Sequence, residues 1–428
     1  MNSPAFLFYT ILFPIFLGIA RLFSFLHPKL RTFFTVRKGM FDELEQKISK
    51  LPSSPFKLWV HAASVGEFEQ ARPIIAALKK SHPEITLFIS FLSDSGYNSR
   101  KNFPEASAVF YLPTDTQSNA RKLISLIKPD VLLLMRYDFW PNHLLEAKKN
   151  GAKLILAAAV LQKNAPYFKP FLKSFYQNIF HLFDHLYTVS SNDTLAFRQT
   201  FNYQKAETAG DPRFDQVFLR SQNCTKVNYL KPFFANHTVL VAGSVWDRDV
   251  NILLPAWQEL EKRPSLILVP HEVGPENMSH LYQELQKRSL AYTPVSTLNG
   301  TFDPGREILV VDQTGYLVEL YSLASIAYVG GGFGVNVHNT LEPAVYNIPV
   351  LFGPRYHNSP EAEGLVAAGG ATVIPNQKEL AFTLKTMTTD ATKIKKSGIA
   401  AGKFVQARTG ATGIIAQCIE HYYDTQAH

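Results

Sequence analysis

The stretch LWVHAASVGEFEQARPII, residues 58–75, decides the fold class of this 428-residue chain. A short apolar run, Leu58 to Val60, reaches His61, gives way to a turn of small residues, and continues as a helix-like segment near Glu67. Strand, turn and helix in this order form the repeating unit of α/β folds, and ligands bind such sheets where the strands end. Glu67 is therefore a candidate reacting group, although the helix dipole alone favours an acid there by about 0.3–1 kcal/mol.

Apolar runs alternate with helix-length segments along the rest of the chain and predict an α/β fold of two Rossmann-like domains with parallel sheets. Near-continuous apolar strands separated by helices, such as those expected over 67–80 and 165–180, are typical of parallel sheets covered on both faces. A chain of this length also exceeds what one hydrophobic core usually serves. The predicted strands are 57–61, 85–91, 108–112, 131–135, 153–157 and 186–190 in the first domain, and 238–243, 266–270, 308–312, 326–329, 349–352 and 371–374 in the second.

The domain limits follow from a mixed polar segment after residue 211, beyond which the alternation starts afresh. We expect an N-terminal membrane anchor over 1–24, a first Rossmann-like domain over 25–211, a linker over 212–230 and a second Rossmann-like domain over 231–428. The final helix is expected to fold back over the linker. Two such domains facing each other enclose a cleft, the usual place for a ligand.

The net charge of +8 leaves three classes of partner open, namely nucleic acid, an anionic membrane surface and a phosphorylated small substrate. Lys and Arg are spread thinly, without the basic run that is typical of nucleic-acid binding, so we expect no nucleic acid. The two cysteines, Cys224 and Cys418, are far apart in sequence and indicate neither a disulfide framework nor a metal site. That usage suits a reducing compartment.

The segment PAFLFYTILFPIFLGIA, Pro4 to Ala20, has no charged residue and favours a membrane helix at the short end of the usual length. It lacks the basic start and the cleavage site of a signal peptide. Basic residues follow it, so the positive-inside rule places the rest of the chain on the cytoplasmic side of the inner membrane. An apolar helix that dips into one leaflet or packs on the protein is the alternative. The basic residues are Arg21, Lys29, Arg31, Arg37 and Lys38.

The glycine-rich segment YVGGGFGVNVHNTLEPAVYNIPVLFGP, residues 328–354, predicts an anion-binding turn after a strand. A dinucleotide fingerprint would need glycine at 335 or 337, where both residues are valine, and no P-loop sequence occurs. Asn339 can cap the next helix or meet a phosphate, and Glu342 can complete a capping box or accept ribose hydroxyls. The spacing leaves both interpretations open.

Two further glycine turns follow predicted strands, at Gly243-Ser244 and at Gly315 within DQTGYL. Each can be an ordinary loop between strand and helix. Three such loops on the side where strands finish indicate a nucleotide lying across them.

The corresponding edge of the first domain carries Ser64, Gly66 and Glu67 after one strand, and Arg136 and Asp138 after another. Asp138 can also be a helix cap, with the nearby Trp140 serving only for packing. We take Ser64, Gly66, Arg136 and Asp138 as candidates for contact with an acceptor or a transition state.

Four segments in order resemble the family of 3-deoxy-D-manno-octulosonic acid (Kdo) transferases. HAASVGE (61–67) is similar to the family's H-A-x-S-V-G-E, and YDFWPN (137–142) resembles its E-L-W-P-N. AGDPRFD (209–215) and HNTLEPAVYNIPVLFGP (338–354) resemble two further family motifs, and the resemblance covers nearly the whole chain. It implies the GT-B architecture, in which two Rossmann-like domains face each other across a cleft.

The resemblance also implies a function, the transfer of Kdo from CMP-Kdo to a lipid A precursor, without metal or other cofactor. The family's glutamate of S-V-G-E, here Glu67, is implied to be the catalytic base. A single base with no second carboxylate nearby implies direct displacement and hence inversion. The donor contacts implied or indicated by the turns are Gly243, Ser244, Pro270, His271, Thr314, Gly315, Tyr316, Asn339, Thr340, Leu341 and Glu342.

The chain departs from the family pattern at several of these positions. His271 stands where the family has an arginine, and Tyr316 where it has an acid. Arg136 replaces the first acid of the E-x-E pair, whose second acid survives as Asp138, and Thr340 replaces a proline. These changes bear on the phosphate contacts, and Arg136 or the turn amides are candidates to supply the lost charge. Alternative functions are a GT-B enzyme acting on UDP-sugars, such as a lipid A disaccharide synthase or an epimerase, and a non-catalytic membrane-anchored binder of nucleotide sugars.

Overall fold

The computed structural model of the protein describes residues 4–161 and 165–427. The first three residues of the expected anchor lie outside this part of the chain. The chain divides into two compact units, one formed by Met1–Asp215 with Gly410–His428 and the other by Gln216–Thr409. The domain limits given above stay a prediction, and the expected linker region begins with the helix Pro212–Ser221.

The first unit contains a seven-stranded sheet, all parallel, in the order β3-β2-β1-β4-β5-β6-β7. The strands are β1 Lys57–Ala62, β2 Thr86–Phe91, β3 Ala108–Tyr111, β4 Val131–Met135, β5 Lys153–Ala159, β6 His185–Thr188 and β7 Ala206–Thr208. The helices are α1 Pro4–Leu22, α2 Pro28–Thr35, α3 Met40–Ile48, α4 Val65–Ser81, α5 Asp94–Arg100, α6 Gln117–Ile127, α7 Pro141–Lys149, α8 Pro170–Phe180 and α9 Ser191–Phe201. The next helix, α10 Pro212–Ser221, contains the boundary between the two units, after Asp215.

The second unit also contains a seven-stranded parallel sheet, in the order β10-β11-β9-β8-β12-β13-β14. The strands are β8 Val239–Val245, β9 Ser265–Pro270, β10 Tyr292–Pro294, β11 Ile308–Val310, β12 Ile326–Val329, β13 Val350–Phe352 and β14 Ala371–Val373. The helices are α11 Lys231–Phe234, α12 Asp247–Gln258, α13 Pro275–Lys287, α14 Leu317–Leu320, α15 Leu341–Ala344, α16 Pro360–Ala367, α17 Gln377–Thr389 and α18 Ala391–Gln406. The last helix, α19 Ala411–Ala427, belongs to the first unit.

These two sheets confirm the predicted α/β class with parallel, Rossmann-like sheets. All twelve predicted strands are present, and those at Val131–Met135 and Ile326–Val329 have the predicted limits. The prediction missed β7 and β10, which are edge strands of three residues each.

Both faces of the first sheet are buried, as a parallel sheet requires. In β1, Trp59 packs into one apolar layer, while Leu58 and Val60 pack into the opposite one. Ile415 and Ile419 of α19 belong to this second layer, beside α4. The final helix is therefore anchored in the first unit by burial of its own apolar side chains.

Close backbone packing fixes glycine at several turns of the second unit. A Cβ atom at Gly330, directly after β12, would lie 2.2 Å from the carbonyl oxygen of Ser244. A Cβ at Gly332 would lie 2.6 Å from the backbone nitrogen of Gly353. These glycines allow the loops after β8, β12 and β13 to approach each other.

We predict that Gly330→Ala lowers the free energy of unfolding by about 1–3 kcal/mol or more, because the added methyl group overpacks a rigid backbone contact. Urea unfolding followed by tryptophan fluorescence measures the effect. Gly300→Ala is the matched control, since a Cβ there meets no atom within 4 Å. Equal stability of the two variants would contradict the packing role of Gly330.

Candidate functional site

The candidate groups of the first unit lie where β1 and β4 end. These strands are adjacent in the sheet, and the strand order reverses direction there. Ligands bind open α/β sheets at such a point. Glu67 lies in the first turn of α4, directly after β1, and Asp138 follows β4. The two carboxylates predicted from sequence therefore come together at one sheet edge.

The Glu67 carboxylate is 9% exposed and held by its own loop. Its Oε2 accepts a hydrogen bond from the backbone N–H of Ala63 at 2.6 Å, and the Ser64 hydroxyl caps the helix by accepting from Glu67 N–H at 3.4 Å. Burial raises the pKa of Glu67, and the Asp138 charge raises it further, while the Ala63 hydrogen bond and the charges of His61 and Arg136 lower it, with a net rise. Among the ion pairs of the described residues, none includes Glu67. A buried carboxylate with raised pKa and no directly paired cation is typical of a proton acceptor near neutral pH.

A network of hydrogen bonds holds Asp138 beside Glu67. Asp138 Oδ2 accepts from the indole N–H of Trp140 at 2.9 Å and lies 2.9 Å from His61 Nε2. The other ring nitrogen of His61 is 2.8 Å from the Ser90 hydroxyl, which also accepts from the Trp59 indole at 2.8 Å. A neutral imidazole satisfies every partner, donating to Asp138 through Nε2 and accepting from Ser90 through Nδ1. Sequence reasoning placed Asp138 correctly at this edge but did not identify its partners.

Arg136 points toward buried groups of the same unit. Its backbone adopts φ of +63°, its Nε donates to Gln70 Oε1 at 2.8 Å, and its Nη2 lies 3.8 Å from Asp211 Oδ2. Gln70 also donates to Asp211 at 2.9 Å. Burial pushes the pKa of Asp211 up, but the adjacent Arg213 outweighs it and the pKa is lowered. Arg136 therefore helps to hold a buried ionised carboxylate.

Ser64 and Gly66 have different roles at the start of α4. Ser64 is the N-cap of α4, so its side chain has a structural task. Gly66 is exposed, and a Cβ there would meet only the Ser64 hydroxyl, at 3.9 Å. The space beside Gly66 is open enough for a ligand to approach the backbone near Glu67.

In the second unit, three rings from the ends of three adjacent strands form a stack. Trp246 follows β8, His271 follows β9 and His338 lies in the loop after β12. His271 is in the middle, 4.5 Å from the Trp246 ring and 4.3 Å from the His338 ring. The Trp246 indole donates to His338 Nε2 at 2.8 Å. Burial lowers the pKa of His338, and the neighbouring His271 lowers it further.

A fully buried carboxylate, Asp249, organises the loops beneath this stack. It accepts from the backbone N–H of Trp246 at 3.0 Å, from the backbone N–H of Gly331 at 2.9 Å and from the Tyr328 hydroxyl at 2.9 Å. The glycine turn is therefore tied to α12. Gly243 packs just as closely, because a Cβ there would clash with the Tyr321 hydroxyl. Ser244 follows it with φ of +53°.

The Thr314-Gly315-Tyr316 turn is supported by a lysine that sequence reasoning missed. Lys226 Nζ donates to the carbonyl oxygens of Gly315 at 3.1 Å and Thr314 at 3.4 Å, and lies 4.0 Å from the centre of the Tyr316 ring. Gly315 has φ of +81°, a conformation that favours glycine. The turn thus places one cation where the family resemblance implies the donor.

The segment from Asn339 to Glu342 forms a single helical turn. The helix α15 begins at Leu341 and has only four residues, so it supplies little dipole. Asn339 Oδ1 accepts from the backbone N–H of Leu341 at 3.1 Å, and its amide donates to Glu342 Oε1 at 3.2 Å. Thr340 is buried, and its hydroxyl has no hydrogen-bond partner among the described residues.

The described residues contain no group of three or more His, Cys, Asp or Glu side chains that could hold a metal ion. Both cysteines are free. One helix, Phe6–Phe25, is long and apolar enough to cross a membrane by length and composition, with mean hydropathy 2.0.

Known proteins share both the fold and the sequence pattern. UDP-GlcNAc 2-epimerase from Neisseria meningitidis, bound to UDP-GlcNAc, has a TM-score of 0.57 at 15% identity, over 86% of this chain and 100% of that one. The family model of 3-deoxy-D-manno-octulosonic-acid transferase matches residues 35–216. The Kdo transferase of Aquifex aeolicus is 29% identical over 79% of this chain and 88% of its own. That of Chlamydophila psittaci is 28% identical over 84% and 83%.

The two parallel sheets and the solved neighbours define the GT-B fold. The sequence relatives then identify the class of enzyme, a glycosyltransferase. The chain is similar to Kdo transferases over about four-fifths of its length, and the match to the family model lies almost entirely in its first half.

We predict that Glu67→Gln raises the free energy of unfolding at neutral pH. A pKa raised in the folded state means that the folded protein binds the proton more tightly, so ionised Glu67 opposes folding above its ordinary pKa. The gain should shrink as the pH falls to about 4 and below, where both states are protonated. Urea unfolding between pH 4 and 7.5 measures it. Glu105→Gln, at an exposed site, is the control. If the free energy of unfolding changed with pH in the same way for both variants, the effect of burial on Glu67 would be contradicted.

Proposed function

We propose that the protein transfers Kdo from CMP-Kdo to a hydroxyl group of a lipid A precursor (lipid IVA), at the cytoplasmic face of the inner membrane. The reaction needs no metal and inverts the configuration at the anomeric carbon. One observation carries the proposal: Glu67, in the segment that the family model matches, is buried at the sheet edge with a raised pKa, and it forms no ion pair among the described residues. The proposal assigns it the role of general base.

In this reaction the acceptor hydroxyl oxygen attacks the anomeric carbon of Kdo, and the bond from that carbon to the CMP phosphate oxygen breaks. Glu67 takes the hydroxyl proton, and CMP leaves with the bonding electron pair. A sugar hydroxyl is a weak acid, so an aligned base contributes typically 10²–10⁴-fold. The raised pKa of Glu67 brings its basicity closer to neutral pH, which supports this role.

The hydrogen-bond partners of the second carboxylate, Asp138, support an inverting reaction. Asp138 is near enough for its charge to raise the pKa of Glu67, so the expectation that no second carboxylate lies nearby was wrong. However, its Oδ2 is engaged by both His61 and Trp140. We therefore assign Asp138 a positioning and electrostatic role, and a single displacement leaves the product inverted.

For the donor, we propose binding across the strand ends of the second unit. His271, in the middle of the ring stack, and Lys226, at the Gly315 turn, are the cationic or ionisable groups near the proposed phosphate position. The remaining contacts are proposed at Gly243, Ser244, Pro270, Thr314, Tyr316, Asn339, Thr340, Leu341 and Glu342.

We predict that Glu67→Ala lowers transfer by at least 10²-fold while CMP-Kdo still binds, because the proton acceptor is lost and the second unit is untouched. The assay incubates the purified protein with CMP-Kdo and tetraacyl lipid A precursor and weighs the product by mass spectrometry. Glu105→Ala, at an exposed site of the same unit, is the control. Near-normal turnover of Glu67→Ala would rule out the assigned base, and inhibition by UDP rather than CMP would favour a UDP-sugar donor.

We also predict that His271→Ala weakens CMP-Kdo binding at least severalfold, whereas His271→Arg binds at least as tightly, because a guanidinium restores a permanent cation. Isothermal titration calorimetry measures both. His357→Ala removes another exposed histidine of the same unit and serves as the control. Equal affinities for His271→Ala and the wild type would exclude His271 from the donor site.

A further inference from the structure

The apolar N-terminal helix α1 is bound to the first unit by two hydrogen bonds from one of its faces. The Tyr9 hydroxyl donates to Asp115 Oδ2 at 3.0 Å, and the Thr10 hydroxyl donates to Asn142 Oδ1 at 3.0 Å. Asp115 is completely buried and Asn142 is 5% exposed. These contacts lie in the first half of the segment that is long enough to cross a membrane.

Aromatic side chains on the same face extend the attachment. Phe6 is 6% exposed, and its ring lies 5.4 Å from that of Phe175 on α8. Phe13 meets the Trp140 ring edge-on at 6.2 Å. The face of α1 that carries Phe6, Tyr9, Thr10 and Phe13 is therefore a packed protein interface.

This attachment is incompatible with a helix that crosses the bilayer. Asp115 and the backbone around it cannot enter hydrocarbon without a large cost, so the residues docked on them must stay at the level of the folded unit. The rest of the segment, 14–25, would extend about 18 Å at 1.5 Å per residue, well short of a hydrocarbon core of roughly 30 Å.

The opposite face of α1 is apolar and exposed along its whole length. Leu7, Ile11, Ile15, Ile19 and Leu22 recur on it at helical spacing, and each is at least half exposed. Phe8 and Phe16, on the same face, line an apolar depression of about 450 Å³ that continues to Leu172 at the start of α8. The apolar surface thus extends from the helix onto the folded unit.

Cations border this surface at the C-terminal end of α1. A second depression, of about 670 Å³, is lined by Arg21, Arg31, Arg37 and Lys38. Arg37 is engaged, since its guanidinium donates to three backbone carbonyl oxygens. Arg21 and Lys38 are exposed, and neither side chain forms a hydrogen bond or ion pair within the described residues, so both can meet anions.

We propose that α1 is an in-plane anchor that inserts its outer face into one leaflet of an anionic membrane, with Arg21, Arg31 and Lys38 at the level of the lipid headgroups. An apolar face flanked by cations matches such a surface in both hydrophobicity and charge. The N-terminus then lies on the same side of the membrane as both folded units. This topology replaces the spanning anchor expected from sequence, and it holds whichever sugar the enzyme transfers.

The topology test uses the full chain with one epitope tag before residue 1 and another after residue 428, expressed in a Gram-negative bacterium. Protease added to spheroplasts should cut neither tag, and protease added to inside-out vesicles should cut both. Cleavage of the N-terminal tag in spheroplasts would show that the helix spans the membrane and would overturn the proposal.

The surface is tested by sedimentation of the purified protein with vesicles of phosphatidylcholine alone or mixed with phosphatidylglycerol. Phe8→Ser with Phe16→Ser should weaken binding to the mixed vesicles at least tenfold, because two exposed rings leave the bilayer. Phe382→Ser on α17 removes an equally exposed ring (66%) and should change nothing.

Arg21→Gln with Lys38→Gln should weaken binding to the mixed vesicles only, and the loss should fade in high salt. Undiminished binding of the Phe8 and Phe16 variant would refute the apolar face as the membrane surface. An equal loss on both vesicle types for the charge variant would refute the headgroup contact.

Discussion

A buried carboxylate must be surrounded by hydrogen-bond donors, and this constraint shapes the strand ends of both sheets. Asp115 accepts from the backbone N–H groups of Asn142 and His143 as well as from Tyr9, and Asp249 likewise accepts from backbone N–H groups in the second unit. Both side chains are completely buried. Leaving such a group unpaired costs several kcal/mol, so the loops that supply the donors have little freedom. The candidate site groups are on or next to these loops. The hydrogen bonds to the buried carboxylates therefore hold the backbone of these loops in place, even where it is rich in glycine.

In the first unit, the same constraint connects the apolar helix α1 to the proposed base. Tyr9 completes the Asp115 shell, and Phe13 packs on Trp140, which donates to Asp138. The Asp138 charge in turn raises the pKa of Glu67. The helix α1 therefore supports the position of Asp138, whose charge acts on Glu67, in addition to presenting an apolar face. The proposed base and the proposed membrane surface thus belong to one packed unit.

The sequence predicted the features that depend on local pattern. Buried strands are continuous apolar runs, so β4 and β12 were located to the residue, and Glu67 and Asp138 followed because strand ends of a parallel sheet meet at one edge. The edge strands β7 and β10 were missed because they are short and partly exposed, with no apolar run. Contacts between distant residues left no signal either. The bond from Asp249 to Tyr328, the stacking of His271 on His338 and the docking of Tyr9 on Asp115 all depend on tertiary structure.

The ring stack shows how a departure from the family pattern is accommodated. The Trp246 indole donates to His338 Nε2, so this nitrogen carries no proton, and both burial and the adjacent His271 lower the pKa of His338. Two imidazolium rings 4.3 Å apart would repel each other, so the pair holds at most one charge with ease. His271, in the middle of the stack, stands where the family pattern has an arginine. An arginine would present a permanent cation with several hydrogen-bond donors. The departure therefore replaces a long guanidinium side chain by a ring that stacks on both Trp246 and His338.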